Sequence, residues 1–319
     1  MYYEPNARVT IGNVIFNQVS RVVISESVKE LGDKAIITLP RNYKLLKDNS
    51  VLDYIQSGNA VIIELGTNGN YYTEFTGYVD IIEADAPLVI HVDDEFYPLK
   101  RNSFKKTWGA VTLKELLKYV ASNYTIDCAD VNLGQFEING SSSYRVLKQI
   151  VEQYGFYAKI IEAENTLKCY WPYDFRTGID HVYYIGKNTK AGGNNLKYHR
   201  AEDVKLRVKG IANQRNGTKI VYETGSQDTD ATLRTRNYKS ITKAELIENV
   251  EKDYKMFAFN GYSGSIKGFA LPRTHAGDNL KIINNAVQDM EGKYLIEKTI
   301  IRYDLRSGFE RENTLSYKV

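Results

Sequence analysis

Cysteine is nearly missing from this chain: two residues, Cys128 and Cys169, are too few for a disulfide framework to hold a fold of this size. They read as reduced, half-buried thiols in one small domain, with a bridge between them left open. Proline is also sparse at 6 and glycine is ordinary at 23, which argues against long disordered linkers. Charge of one sign is lacking. With 42 basic and 39 acidic residues the net charge is +3, so there is no electrostatic case for tight nucleic-acid binding. No stretch approaches the roughly 18 apolar residues of a membrane-spanning helix, and no membrane insertion is expected. The start, Met1-Tyr2-Tyr3-Glu4-Pro5, has neither the basic nor the apolar region of a signal peptide.

Catalytic groupings are missing as well. The four histidines, His91, His181, His199 and His275, lie far apart, and none has a partner at metal-ligand spacing. Gly261-Tyr262-Ser263-Gly264 resembles a nucleophile elbow only loosely, since it lacks the Gly-x-Ser-x-Gly spacing and follows a helix. Gly192-Gly193-Asn194-Asn195 has no Lys-Ser/Thr after it and opens no helix, so it is no phosphate loop. Asp93-Asp94-Glu95 reads as a solvated corner, and Arg234-Thr235-Arg236-Asn237-Tyr238-Lys239 as a solvated basic loop. No catalytic, cofactor-binding or metal-ligating residue is assigned, and hydrolase activity is not expected.

What is abundant is tyrosine, 25 residues, a side chain suited to half-buried strands and to contact surfaces. A construction also appears twice. Ser57-Gly58-Asn59 leads into Ala60-Val61-Ile62-Ile63, a polar turn, and the long run Phe75 to Ile82. Ala276-Gly277-Asp278 leads into Asn279-Leu280-Lys281-Ile282-Ile283, a polar turn, and Glu291 to Ile301. Leu39-Pro40-Arg41 and Leu271-Pro272-Arg273 each close a strand-like run upstream. The spacing from proline to glycine differs, so the repeat points to two related β-units rather than a clean duplication.

Alternation and turn residues predict strands over Arg8 to Phe16, Val19 to Ser25, Lys34 to Leu39, Ala60 to Leu65, Tyr72 to Glu83 and Leu88 to Val92, with no helix between them. That pattern predicts a barrel or sandwich. After Arg101 the period changes. Thr112-Leu113-Lys114-Glu115 is a capping box ahead of Leu116, Leu117 and Val120, and a second helix opens at Ser142 or Ser143 with Val146, Leu147, Ile150, Val151 and Tyr154 on one face. Strand-like runs follow over Gly155 to Ile161 and Thr166 to Trp171. This small unit is expected to fold semi-independently. Strands resume from about Asp180, and among them Val204 to Lys209 is joined through Asn216-Gly217 to Thr218 to Glu223. Thr224 to Arg236 reads as a loop or extended arm. Thr242-Lys243-Ala244-Glu245 caps a third helix, and strands are predicted over Ser263 to Ala270, Asn279 to Ile283, Gly292 to Tyr303 and Phe309 to Tyr317. The expected fold class is α+β, mostly β. A first, tube-like β-barrel occupies 1–105, a small α+β insert 106–175, and a second β-barrel with one helix 176–319.

Several stretches are similar to the phage tail baseplate hub family, also called late control protein D, which is shared with the N-terminal part of type VI secretion VgrG spike proteins. Gly77-Tyr78-Val79-Asp80, Pro87-Leu88 and Asp94-Glu95-Phe96-Tyr97-Pro98-Leu99-Lys100 resemble the end of its first barrel. Thr112 to Leu117, Tyr124-Thr125-Ile126 and Ser143 to Tyr157 resemble its insert. Pro272 to Asp278, Gly292 to Ile296 and Gly308-Phe309-Glu310-Arg311 resemble its last barrel. The resemblance implies a homotrimer whose six quasi-equivalent barrels adapt a six-fold tail tube to a three-fold spike around a central channel. It implies a location in the virion tail baseplate after assembly in the bacterial host cytoplasm, with DNA or cargo only in transit. VgrG chains continue into a β-helical needle and this one does not, so a separate spike protein is expected beside the tube protein. Two other readings stay open: a cell-wall- or polysaccharide-degrading enzyme, and a surface-binding tail adhesin.

Overall fold

Alternating apolar positions at the front of the chain make, among the described residues, seven strands: β1 (Pro5–Ile11), β2 (Val14–Phe16), β3 (Arg21–Ser27), β4 (Lys34–Leu39), β5 (Ala60–Thr67), β6 (Asn70–Glu83) and β7 (Leu88–Asp93). The computed structural model describes residues 4–40, 53–83, 87–190, 192, 194–214, 216–285 and 291–319. Arg41 of the first Leu-Pro-Arg and Gly193 of the glycine pair lie outside these residues. In β5, Val61, Ile63 and Leu65 face inward while Ala60 and Ile62 face out, the period of two that a half-buried strand requires. Arg8 to Phe16 is not one strand. Gly12 takes a φ of +56°, open to glycine at little cost, and folds the run into the β1–β2 hairpin.

The middle of the chain gives β8 (Phe104–Thr112), α1 (Leu113–Val120), β9 (Thr125–Cys128), β10 (Asn132–Ser141), α2 (Ser143–Tyr154), β11 (Tyr157–Ile161) and β12 (Thr166–Tyr170). Both helices start where their caps predict. Thr112 and Glu115 close a reciprocal capping box, Ser142 accepts a hydrogen bond from the Arg145 amide, and Gly155 ends α2 in the left-handed conformation. The back adds β13 (Asp180–Tyr184), β14 (Asn195–His199), β15 (Leu206–Asn213), β16 (Lys219–Gly225), β17 (Thr232–Lys239), α3 (Lys243–Lys255), β18 (Gly261–Gly268), β19 (Asn279–Ile283), β20 (Gly292–Asp304) and β21 (Gly308–Lys318). Thr224 to Arg236 is not a loop or extended arm, and Arg234 to Lys239 is not a solvated loop. Thr232–Lys239 is a strand, parallel to β15 along its whole length.

Among the described residues one sheet of 13 strands joins the two ends of the chain, in the order β14-β18-β21-β20-β3-β4-β7-β6-β5-β1-β2, with β19 on β20 and β13 on β19. Strand β20 pairs with β21 on one side and with both β19 and β3 on the other, so front and back share hydrogen bonds. Among the described residues the path does not close on itself, and the turn pattern that predicted two separate barrels produces one open, continuous sheet.

The apolar cores follow a related plan. One lies under the front strands around Val9, Ile24, Ile37 and Ile63, and includes Ile301 and Tyr303 of β20. A small one gathers Tyr183, Ile266, Leu280 and Tyr294 at the back. The third fills the insert and takes in Val208, Tyr238, Leu246 and Val250 from β15, β17 and α3. The insert's core therefore continues into the β15–β17 layer, where Gly210 lets α3 lie close: a Cβ there would sit 2.3 Å from Val250 and 2.7 Å from Leu246.

Candidate functional site

The repeated Gly-Asx element is one turn built twice. In the first, the Gln56 amide donates to Asn59 Oδ1 at 2.8 Å and the Asn59 amide to the Gln56 carbonyl at 3.1 Å. In the second, the His275 amide donates to Asp278 Oδ2 at 3.0 Å and the Asp278 amide to the His275 carbonyl at 3.1 Å. Gly58 and Gly277 both hold positive φ, +88° and +96°. Each turn then clasps the long strand: Gly58 N donates to Val79 O and Val79 N to Asn59 O, while Gly277 N donates to Ile296 O and Ile296 N to Asp278 O. Bulges follow at matching places, between Val79 and Ile81 and between Ile296 and Lys298.

Around these turns the strand orders agree. The front reads β3-β4-β7-β6-β5-β1 and the back β14-β18-β21-β20-β19-β13. They differ in the last pair, antiparallel for β1–β5 and parallel for β13–β19. The β15–β17 layer and α3 are inserted between β14 and β18, where the front has only the turn from β3 to β4.

Behind the second turn lies a buried chain of charges. Arg311, with no exposed side-chain area, meets Glu74 at 2.6 Å and donates to the carbonyls of Ala270 and Thr274. Arg273 reaches Glu74 at 2.9 Å from the other side. His275 Nδ1 is 2.8 Å from Glu26, whose other oxygen accepts the Ala276 amide. Lys159 of β11 stands 3.2 Å from Asp33 and 3.6 Å from Glu26, tying the insert to the sheet. Burial favours the neutral form of Glu26, but the charges of His275 and Lys159 hold its carboxyl well below the usual range. Burial would lower His275, and Glu26 more than offsets it, so its pKa is raised. Burial, with the nearby Asp33, pushes Asp94 well up. Each charge here is spent on another charge or a backbone group, an arrangement that locks segments together rather than one that activates a nucleophile.

Three dimensions bring together some of the residues that sequence kept apart. His181 and the His275 amide meet on Asp278, with Thr177 donating to the same carboxylate. His91 pairs with Glu83 at 2.7 Å, and His199 packs edge-on against Phe259. No group of three or more His, Cys, Asp or Glu placed to hold a metal ion occurs among the described residues. Asp93 and Asp94 are not solvated: both are buried, Asp93 against Lys100 and Asp94 accepting the amides of Asp33 and Phe96. Gly261–Gly268 is an ordinary strand rather than an elbow. Asn194 accepts the Lys267 amide. Cys128 and Cys169 sit side by side in the parallel β9–β12 pair as free thiols, with burial pushing Cys128 up to about 11 and Cys169 higher. The pairings of Arg311 with Glu74 and of Lys159 with Glu26 leave no local mark in the sequence, because the partners lie far apart along the chain.

No family model matches this sequence, and no curated protein matches it either. Solved structures do. The 43 kDa tail protein of prophage MuSo2 from Shewanella oneidensis superimposes with a TM-score of 0.62 at 13% identity, over 98% of this chain and 98% of that one. A tail protein from Neisseria meningitidis MC58 matches with a TM-score of 0.62 at 14% identity, over 98% and 97%. An E. coli component of the type VI secretion system, described as structurally similar to bacteriophage T4 tail proteins, matches with a TM-score of 0.58 at 9% identity, over 97% of this chain and 76% of that one. The mostly-β fold of this chain is thus the fold of phage tail and VgrG-like proteins.

Proposed function

We propose that this chain is a structural, non-enzymatic hub of a phage tail baseplate or a related injection machine. The observation that carries the reading is the pair of β-units with one strand order, one turn and one bulge position, in a chain that aligns end to end with tail proteins. Two like units per chain give a homotrimer six like positions, which adapts a six-fold tube to a three-fold spike. The ends, 1–105 and 176–319, supply the ring around the channel. The insert, 106–175, projects from it with α3 and its sheet packed on. Tube protein above and a separate spike protein below are the partners, DNA or cargo passes through, and the assembly sits in the virion tail after forming in the host cytoplasm. The near-balanced charge suits a channel to which DNA must not adhere.

The test is the symmetry of the purified particle. Native mass should give three copies, and class averages from negative-stain microscopy should show a three-fold ring with six lobes around a hole. The same preparation should leave peptidoglycan and polysaccharide uncleared. A monomer at every concentration would sink the ring, and clearing that is lost on one Asp or Glu substitution would sink the non-enzymatic role.

A further inference from the structure

The chain has two cysteines, and folding makes them neighbours. Cys128 ends β9, Cys169 lies in β12, and the two stand opposite each other in the parallel pairing of those strands. The Ala129 amide donates to the Cys169 carbonyl at 2.9 Å, so the pairing holds to the end of β9. Side chains in register on adjacent strands leave the sheet on the same side. The preceding register pair shows that they also meet, since Lys168 reaches Asp127 at 3.6 Å on one face. On the other face Leu167 stands opposite Ile126, both in the insert's core, and Cys169 and Cys128 follow two residues later on that same face. Adjacent strands run about 4.8 Å apart, within the roughly 4.4–6.8 Å between Cα atoms that a disulfide spans. We propose that Cys128 and Cys169 form an oxidative modification site, a dithiol that closes to a disulfide within one chain in oxidising surroundings.

Exposure sets the order of events. Cys169 is fully buried, whereas Cys128 is half-buried and within reach of a small oxidant. The Cys128 thiolate attacks one sulfur of a low-molecular-weight disulfide, forming a mixed disulfide and expelling one thiolate. The Cys169 sulfur then gives its proton to water, attacks the Cys128 sulfur and expels the second thiolate. Two protein thiols are oxidised, and one small disulfide is reduced to two thiols. Burial pushes the Cys128 thiol up to about 11, so the first step is slow at neutral pH and quickens as pH rises.

The bond fastens a weakly held strand. Strand β9 has four residues and pairs with β12 alone among the described residues. The bridge ties it down and closes a loop that holds β10, α2 and β11. Restricting the unfolded chain in this way stabilises the fold. Thiols stay reduced in a cytoplasm and pair where the surroundings oxidise, so the insert is stiffened in one setting and not in the other.

The experiment incubates the full chain with oxidised glutathione at pH 7, 8 and 9, then denatures and alkylates it for intact-mass measurement. Both thiols should disappear with the loss of two hydrogens and no glutathione retained, at a rate rising about tenfold per pH unit. Closure should raise the melting temperature by about 5 °C or more, and dithiothreitol should reverse both changes. Cys169→Ala should stop at the glutathione adduct on Cys128, and Cys128→Ala should remain a thiol. Phenylarsine oxide, which bridges two neighbouring sulfurs, should block both cysteines of the native chain at one equivalent and should wash off either single variant. Retention of both thiols at pH 9, or a glutathione adduct that never resolves in the parent chain, would overturn the site. A bond formed between chains, or two cysteines still open to alkylation after the arsenical, would overturn it as well.

Discussion

Single residues show why sequence alone missed the buried charges. Nothing near His275 marks Glu26 as its partner, since they are 249 positions apart, and only folding places them within 2.8 Å. His181 lies in β13 and Asp278 in the turn that opens β19, and they meet because those two strands become parallel neighbours. A pH dependence follows. A histidine with a raised folded pKa holds its proton more tightly in the native state. Its stabilisation is therefore complete below its free value of 6.5 and fades as pH rises through the higher folded value. Glu26, lowered by folding, works from the other side: its contribution is present above its free value of 4.5 and is lost as pH falls through the folded value. The pair is at full strength between those two free values. His275→Gln should lower the melting temperature at pH 5.5 and make the decline toward pH 9 shallower than in the parent chain. An unchanged slope across that range would mean that another group sets it.

Elements with a clear period or cap were legible, and those whose inward face is charged were not. The boxes at Thr112 and Thr242 mark α1 and α3 where they begin, and β4 and β19 run as their alternation indicates. Strand β17 escaped because two of its inward positions are Arg234 and Arg236, which reach the fully buried Asp253 of α3 at 3.5 and 3.2 Å. No hydrophobicity pattern reveals a strand that packs through an ion cluster. Asp253→Asn should leave both guanidiniums uncompensated and cost about 3 kcal/mol or more. Hydrogen exchange should show the loss first in β17 amides. The insert looked semi-independent because its helices carry their own stripes, yet its core runs on into β15, β17 and α3. Leu117→Asp places a charge at a fully buried position without a partner. It should strip exchange protection from α1, α2 and α3 together. Loss confined to residues 106–175 would restore the independent unit.

At the scale of the whole molecule, the repeat was visible in the sequence but its joining was not. The turns at Gly58 and Gly277 have local signatures. The pairing of β3 with β20 brings together residues more than two hundred positions apart, and no local pattern encodes it. That junction has a mechanical consequence. Strands β3 and β20 are bonded through seven residue pairs, from Lys298 opposite Ser27 to Asp304 opposite Arg21. Tension that slides the two units lengthwise loads these bonds at once, whereas tension that opens one end breaks them in turn. Single-molecule pulling from Ser20 and Glu297 applies the first geometry, and pulling from Ser20 and Leu305 the second. The first should need the larger rupture force, and equal forces would show that the seam does not act as a unit. A body whose halves are stitched along a strand resists thrust along that strand and peels when pried.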